Sequence, residues 1–522
     1  MTNAIPFKLF TKSLRAGAAA LLLLPALAVS TPDDPPAEQN DAAAEKNAAE
    51  RGTTKGQMVE AVERELRNAQ GLDGEAISVE LDTGMVALNG EVANLLAHDR
   101  AIRIAASVKG VVALEDNLTV RPTDRSDGEI ETDVATALAQ DPATEFWEID
   151  AHVQGGAVSL TGTVESYAEK SLAAKAAKGV RGVLSVDNSI DVNYEVDRTD
   201  RQIAHDVTQT LKWNTTVDSA GVEVEVDNGA VSLSGTVDSL YEKYQAERLS
   251  YVAGVNNVKT ADLQVRWSDD EADQSALKQL SDVDIKDAVH TALVVNPRVS
   301  SFEPTIEVEN GVVTLGGTVD NLKAKGAAAQ AAWETLGVTE VRNQITVDPE
   351  RTIADEDIER NVEDALLRDP YVSGIAVDVA AVDGEVYLYG DVDSWFDKLE
   401  ARDVAARITG VTEVHNLLDV DYQIPVVYTF YDWDPVLYDY DFDFEYVGTK
   451  PDHEIAESIE TELAWSPFVD AGEVEVEVES GVATLTGKVD DGAERMAATE
   501  NALEGGAYKV VNRLDVSYDQ SG

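Results

Sequence analysis

The chain has 522 residues, 98 Asp and Glu against 41 Lys and Arg, a formal net charge of −57 and no cysteine. Its length calls for several domains, and 44% hydrophobic residues supply real cores, so the acidity belongs to folded surfaces and not to a disordered polyanion. Lack of cysteine excludes disulfide scaffolds, thiolate zinc sites and thiol catalysis, while the charge argues against nucleic acid and against simple attraction to anionic lipid.

In chain order, Lys8, Lys12 and Arg15 precede an apolar run from Ala16 to Val29 that closes on Ala28-Val29-Ser30. That order predicts a secretory signal peptide over residues 1–30, since a membrane-spanning helix needs about 20 apolar residues. Residues 1–30 hold no Asp or Glu, so losing three basic residues takes the net charge from −57 to −60. Residues 31–54 are rich in Pro, Ala, Glu and Asp without apolar periodicity and read as a disordered spacer. The mature protein is therefore expected in the periplasm, with no transmembrane segment.

One string, Gly-x-h-x-Leu-x-Gly-x-Val with h small or apolar, then recurs six times. Its glycine pairs are Gly84 and Gly90, Gly156 and Gly162, Gly229 and Gly235, Gly311 and Gly317, Gly384 and Gly390, and Gly481 and Gly487. The leucine between them never varies: Leu88, Leu160, Leu233, Leu315, Leu388 and Leu485. Spacings between first glycines are 72, 73, 82, 73 and 97, so the unit is domain-sized with two insertions. Upstream of each first glycine, at −26, −22 and −18, stand apolar triplets such as Ile203, Val207 and Leu211, which share one face of an amphipathic helix. Proline at −14 in four copies (Pro142, Pro297, Pro370, Pro467) helps to end it. A period-two run such as Val222 to Val226 predicts a strand, Asn228-Gly229 a hairpin turn, and the glycine string the returning strand. An alanine-rich helix and a last strand opening at Gly-Val complete the unit, with an asparagine six residues after the glycine at Asn188, Asn343, Asn416 and Asn512.

The predicted fold class is α+β: six tandem αββαβ modules, each a three-stranded mixed sheet covered by two helices. Their expected bounds are 55–122, 128–194, 199–267, 283–348, 354–421 and 451–518, with an aromatic and acidic insertion at 422–450. The glycine string, the Gly-Val and Asn segment and the helical face together resemble the BON domain of osmotically inducible periplasmic proteins. The resemblance implies a non-enzymatic envelope protein, linked to osmotic stress, that binds phospholipid or associates with membrane. A protein-interaction or chaperone-like scaffold for envelope proteins is the alternative.

No catalytic, metal or cofactor site is expected. The six histidines (His98, His152, His205, His290, His415, His453) fall at different phases of the repeat, whereas a module-built site would hold one phase, and no nucleophile elbow, phosphate loop or zinc-helix motif is present. Trp213 and Trp465 share position −16, with Tyr371 and Phe468 close by in copies five and six. These rings either contact lipid or a partner, or pack on their own core or a neighbouring module. The insertion carries Tyr438, Tyr440, Phe442 and Phe444 alternating with Asp439, Asp441 and Asp443, which puts rings on one strand face and carboxylates on the other. It reads as an added strand, a sugar-stacking surface, a Ca²⁺ site or a linker packing copies five and six together. The acidity, spread over all six copies, reads as solubility and adaptation to high salt.

Overall fold

The computed structural model describes residues 55–69, 71–72, 76–82, 85–144, 147–194, 198–266, 280–299, 302, 304–349, 351–420, 451–507 and 509–516. The expected signal peptide, spacer and insertion, with Gly84, Tyr438, Tyr440, Phe442 and Phe444, lie outside them.

Each unit folds as helix, hairpin, helix, strand. The opening helices are α1 (Lys55–Asn68), α3 (Asp127–Gln140), α5 (Asp200–Trp213), α7 (Asp282–Val295), α9 (Asp355–Arg368) and α11 (Asp452–Trp465). The second helices are α2 (Leu95–Ser107), α4 (Tyr167–Lys178), α6 (Leu240–Leu249), α8 (Leu322–Trp333), α10 (Trp395–Ala406) and α12 (Gly492–Glu504). Every apolar triplet of the opening helices is buried, as are all six motif leucines. Each such leucine contributes about 1.5–3 kcal/mol by leaving water. All six second helices begin at a side-chain cap: Asn94, Ser166, Ser239, Asn321, Ser394 and Asp491 each accept the N–H three residues on.

In the third module Val222–Asp227 pairs antiparallel with Ala230–Val237, and that central strand pairs parallel with Asn257–Val265. The other modules repeat this mixed order, although in the second and fourth the last strand is interrupted between Asn188 and Asp191 and between Asn343 and Thr346. Two-residue turns with both φ positive close the hairpins: Asn228 (51°) and Gly229 (76°), Asn310 (52°) and Gly311 (76°), Asp383 (53°) and Gly384 (83°). That geometry matches strand twist and suits Asn, Asp and Gly. The second motif glycine has a steric reason: a Cβ on Gly235, at φ 112°, would lie 2.0 Å from the Gly221 carbonyl oxygen, and one on Gly487 equally close to that of Glu473.

The modules form a closed cluster, because each touches at least three others. α2 packs on α6, and the cores of modules one and three merge. Trp213 and Leu336 join modules three and four through a backbone hydrogen bond of 2.8 Å, and Val338 accepts from Gly492 of module six. The Lys109 amide donates to the Trp465 carbonyl, and Arg64 pairs with Glu462 at 3.2 Å, tying module one to module six. Module two meets module five where Arg368 donates to Gln140 and the Thr409 amide to the Gln140 carbonyl. Two ion pairs are interred in these joints. Arg298 of module four forks onto Asp141 of module two, and Lys323 of module four, fully buried, reaches Asp403 of module five at 2.6 Å.

Candidate functional site

The repeated polar residues serve the fold. The first residue of the opening helix is aspartate in five copies, and its two carboxylate oxygens accept both N–H groups of the hairpin turn. Asp127 holds Gly155 and Gly156, Asp200 holds Asn228 and Gly229, and Asp282, Asp355 and Asp452 repeat the arrangement at 2.8–3.1 Å. These two amide bonds hold the Asp127 carboxyl below the usual carboxylate range. Lys55 occupies the equivalent place in module one. A second repeated polar position ends the same helix. There Asp141, Asn214, Asn296, Asp369 and Ser466 each accept the backbone N–H two residues on. The recurring asparagine of the last strand donates its amide to a carbonyl of the second helix: Asn188 to Lys170, Asn343 to Lys325, Asn416 to Lys398 and Asn512 to Arg495.

Module one departs from this last pattern. Asp116 replaces asparagine, and its carboxylate meets His98 Nε2 at 2.9 Å, while His98 Nδ1 faces Asp99 at 3.3 Å and Lys178 of module two closes on Asp99 at 2.5 Å. Burial works against the imidazolium, but the hydrogen bonds and charges of Asp116 and Asp99 outweigh it and push His98 up to about 9. The group is a cation at neutral pH. Of the other histidines, His415 meets Glu385 at 3.0 Å and stacks on Tyr387, with Glu413 alongside. Among the described residues these three are the one set of carboxylates and histidine whose donor atoms lie within 4.8 Å of one another. Tyr387 also donates to Glu385, so the cluster is explained as a hydrogen-bonded ladder on the outer sheet face.

The rings singled out at positions near −16 are half-buried and stand at joints. Phe468 meets Tyr241 of module three edge to face at 5.1 Å, and Tyr371 meets Phe396 likewise at 4.8 Å. Tyr371, Trp465 and Phe468 all pack against the merged core of modules one and three. Lys212 lies 5.2 Å over the Trp213 ring. Tyr167 of module two stacks on Tyr251 of module three at 3.7 Å, a contact that repeat analysis does not find because the two rings occupy different phases.

Between these joints lies a half-open cavity of about 1600 Å³ walled by modules one to five. Its lining includes ten Lys and Arg, among them Arg100, Arg103, Lys170, Lys175 and Lys178, against eight Asp and Glu, whereas the whole chain has 41 against 98. Seven aromatic rings, Trp213 and Tyr371 among them, and many aliphatic side chains share the wall. The wall is thus largely apolar, with a small excess of basic over acidic side chains in a strongly acidic chain.

Comparison with known proteins agrees with this construction. The family model described as the BON domain matches residues 54–122, 126–194, 199–266, 281–349, 354–422 and 451–518. Osmotically-inducible protein Y of Escherichia coli is 35% identical over 140 residues, covering 26% of this chain and 70% of that protein. Outer membrane lipoprotein DolP of Haemophilus influenzae is 35% identical over 109 residues, 20% of this chain and 56%, or about half, of the lipoprotein. Among solved structures, CdsD, a structural protein of the type III secretion system of Chlamydia trachomatis, aligns at 16% identity over 42% of this chain and 96% of its own, with a TM-score of 0.12 that carries no argument. With six matched segments over most of its length, each showing the helix, hairpin, helix and strand described above, this chain belongs to the BON domain family.

Proposed function

We propose that the protein is an exported, non-enzymatic component of the periplasm that binds phospholipid or membrane surface and protects the envelope under osmotic stress. The observation that carries this is the cavity. Five modules whose repeated polar groups are engaged in their own folds jointly build one interior, where Lys and Arg outnumber Asp and Glu by ten to eight although the whole chain has 41 against 98. Two relatives, one named for osmotic induction and one an outer membrane lipoprotein, support the setting. No helix among the described residues is long and apolar enough to cross a membrane. Acidity spread over the outer faces fits a saline medium, where the Debye length falls to about 3 Å at 1 M salt and self-repulsion fades. Co-sedimentation with phosphatidylglycerol and phosphatidylcholine vesicles across 0.05–2 M salt tests the proposal; a protein that stays in the supernatant throughout refutes it.

A second reading, a scaffold for envelope proteins, has one observation of its own. On the outer sheet face of module five, Tyr389 and Leu417 are paired in register and stand 43% and 53% exposed. If this pair grips a partner, Tyr389→Ser with Leu417→Ser abolishes capture from an envelope extract without altering vesicle binding.

A further inference from the structure

The cavity is one site shared by five modules, and its wall differs in charge balance from the chain as a whole. Basic residues form 41 of the 139 acidic and basic residues of the chain but ten of the eighteen in this wall. Several of these cations also engage carboxylates, Lys178 with Asp99, Arg407 with Asp403, and Arg298 with Asp141 just outside the wall, so the positive excess is small and collective and belongs to no single side chain. α2 and α4 supply Arg100, Arg103, Lys170, Lys175 and Lys178. Aliphatic and small residues of α6, α7 and α8, including Leu240, Ala292 and Ala331, supply apolar wall. The volume exceeds the roughly 300–1,000 Å³ of a drug-sized pocket, which leaves room for a long flexible body. A bare inorganic anion would leave that apolar wall uncovered, and a neutral lipid would leave the charge unanswered.

We propose that the central cavity holds one anionic amphiphile per chain, its phosphate or carboxylate head beside Arg103, Lys170 and Lys175 and its apolar body against α6, α7 and α8. This rests on the lipid-binding reading above and changes its place: the ligand lies between modules, not on the face of one. Two sources share the chemistry, a lipid withdrawn from a bilayer and a free single-chain amphiphile, so both are offered in the test.

The full chain is titrated with dodecyl phosphate, followed by calorimetry and native mass spectrometry, and separately with phosphatidylglycerol vesicles. Saturation at one dodecyl phosphate per chain is expected, with dodecyl maltoside binding at least tenfold more weakly. Ala174→Trp with Ala292→Trp, both in the cavity wall, fills the space and lowers affinity at least tenfold. Lys170→Gln with Lys175→Gln, which removes two charges without adding bulk and, once its thermal unfolding matches that of the wild type, decides the matter if the tryptophan variant misfolds, lowers it on the order of tenfold. Unsaturable uptake, equal binding of the maltoside, or affinity unmoved by the lysine variant overturns the proposal. Wild-type protein that pellets with vesicles yet ignores dodecyl phosphate overturns the cavity assignment and leaves the membrane reading standing. One-to-one binding of dodecyl phosphate without vesicle pelleting supports the cavity and sinks the membrane reading.

Discussion

The ion pair between Asp141 and Arg298 measures how firmly the modules are locked together. Arg298 Nη1 and Nη2 donate to the two oxygens of Asp141 at 2.9 and 3.0 Å, and the side chains are only 5% and 7% exposed. Asp141 also accepts the Ala143 N–H at 3.0 Å, which holds the turn after α3. In Asp141→Ala a desolvated guanidinium loses both charged bonds and the turn loses its acceptor, a cost of about 3–5 kcal/mol. Asp141→Asn keeps the turn and costs less, about 2 kcal/mol. Arg298→Met strands the carboxylate and costs about 2–4 kcal/mol. The double variant Asp141→Asn with Arg298→Met buries no charge and returns to within about 1 kcal/mol of wild type, because a buried pair barely outperforms an apolar replacement. Urea unfolding followed by tryptophan fluorescence gives the four corners of the cycle, and buried screening predicts little change between 0.1 and 1 M salt. Additive single-variant costs, or an Asp141→Asn cost below about 0.5 kcal/mol, would mean that modules two and four are apart in solution.

Other expectations follow from the same structure. Glu65 of module one lies with Glu462 and Glu504 of module six, and burial followed by the Glu462 charge pushes Glu65 well up and Glu504 up to about 7. Raised carboxyl values mean that the closed state holds protons the open state releases. This stabilisation is complete below about 4.5 and is lost as pH rises through about 7. The protection factors of the α1 amides, corrected for the intrinsic rise of exchange with pH, should therefore fall between pH 5.5 and 8, and Glu504→Gln should flatten the change; identical protection factors at both pH values contradict it. Gly235→Ala sets a Cβ against the Gly221 carbonyl at positive φ, and thermal unfolding should report a loss of about 2–3 kcal/mol. Asp200→Ala frees two turn amides, so exchange at Asn228 and Gly229 should rise about tenfold while the core of module three stays protected. Small-angle scattering in 1 M salt should give a radius of gyration near the roughly 22 Å expected of a compact body of about 400 residues, the number the structure describes. A value approaching twice that would mean an extended array.

The module was readable from sequence because its determinants are local. The helical face of Ile203, Val207 and Leu211, the Asn228-Gly229 turn and the alternating valines each specify a nearby element, and the repetition multiplies a weak signal by six. The aspartate staple is equally present in the letters, at 29 residues before the first glycine in five copies, but an aspartate opening a helix has the composition of an ordinary first-turn carboxylate and does not announce a turn as its partner. The joints were not readable. Asp141 and Arg298 lie 157 residues apart, Tyr167 and Tyr251 sit at unrelated phases, and nothing local marks either as half of a pair. Tryptophans at a shared position were visible as a pattern, but a ring that can meet lipid and a ring that can meet another module have the same composition. The cavity is further removed still, since its sign emerges only when five modules turn their scarce cations to the same interior.

The contacts between α1 and α11 give the protein a chronology. A chain that emerges from its N-terminus can fold module one early, but the residues that cover it, Glu462 and Trp465, arrive almost 400 residues later. Module one can join its core to that of module three while the cluster waits for its last member. Completion is therefore registered structurally: a chain cut short before residue 451 lacks the module six residues that meet module one, leaving an apolar and acidic face that distinguishes an unfinished molecule from a finished one.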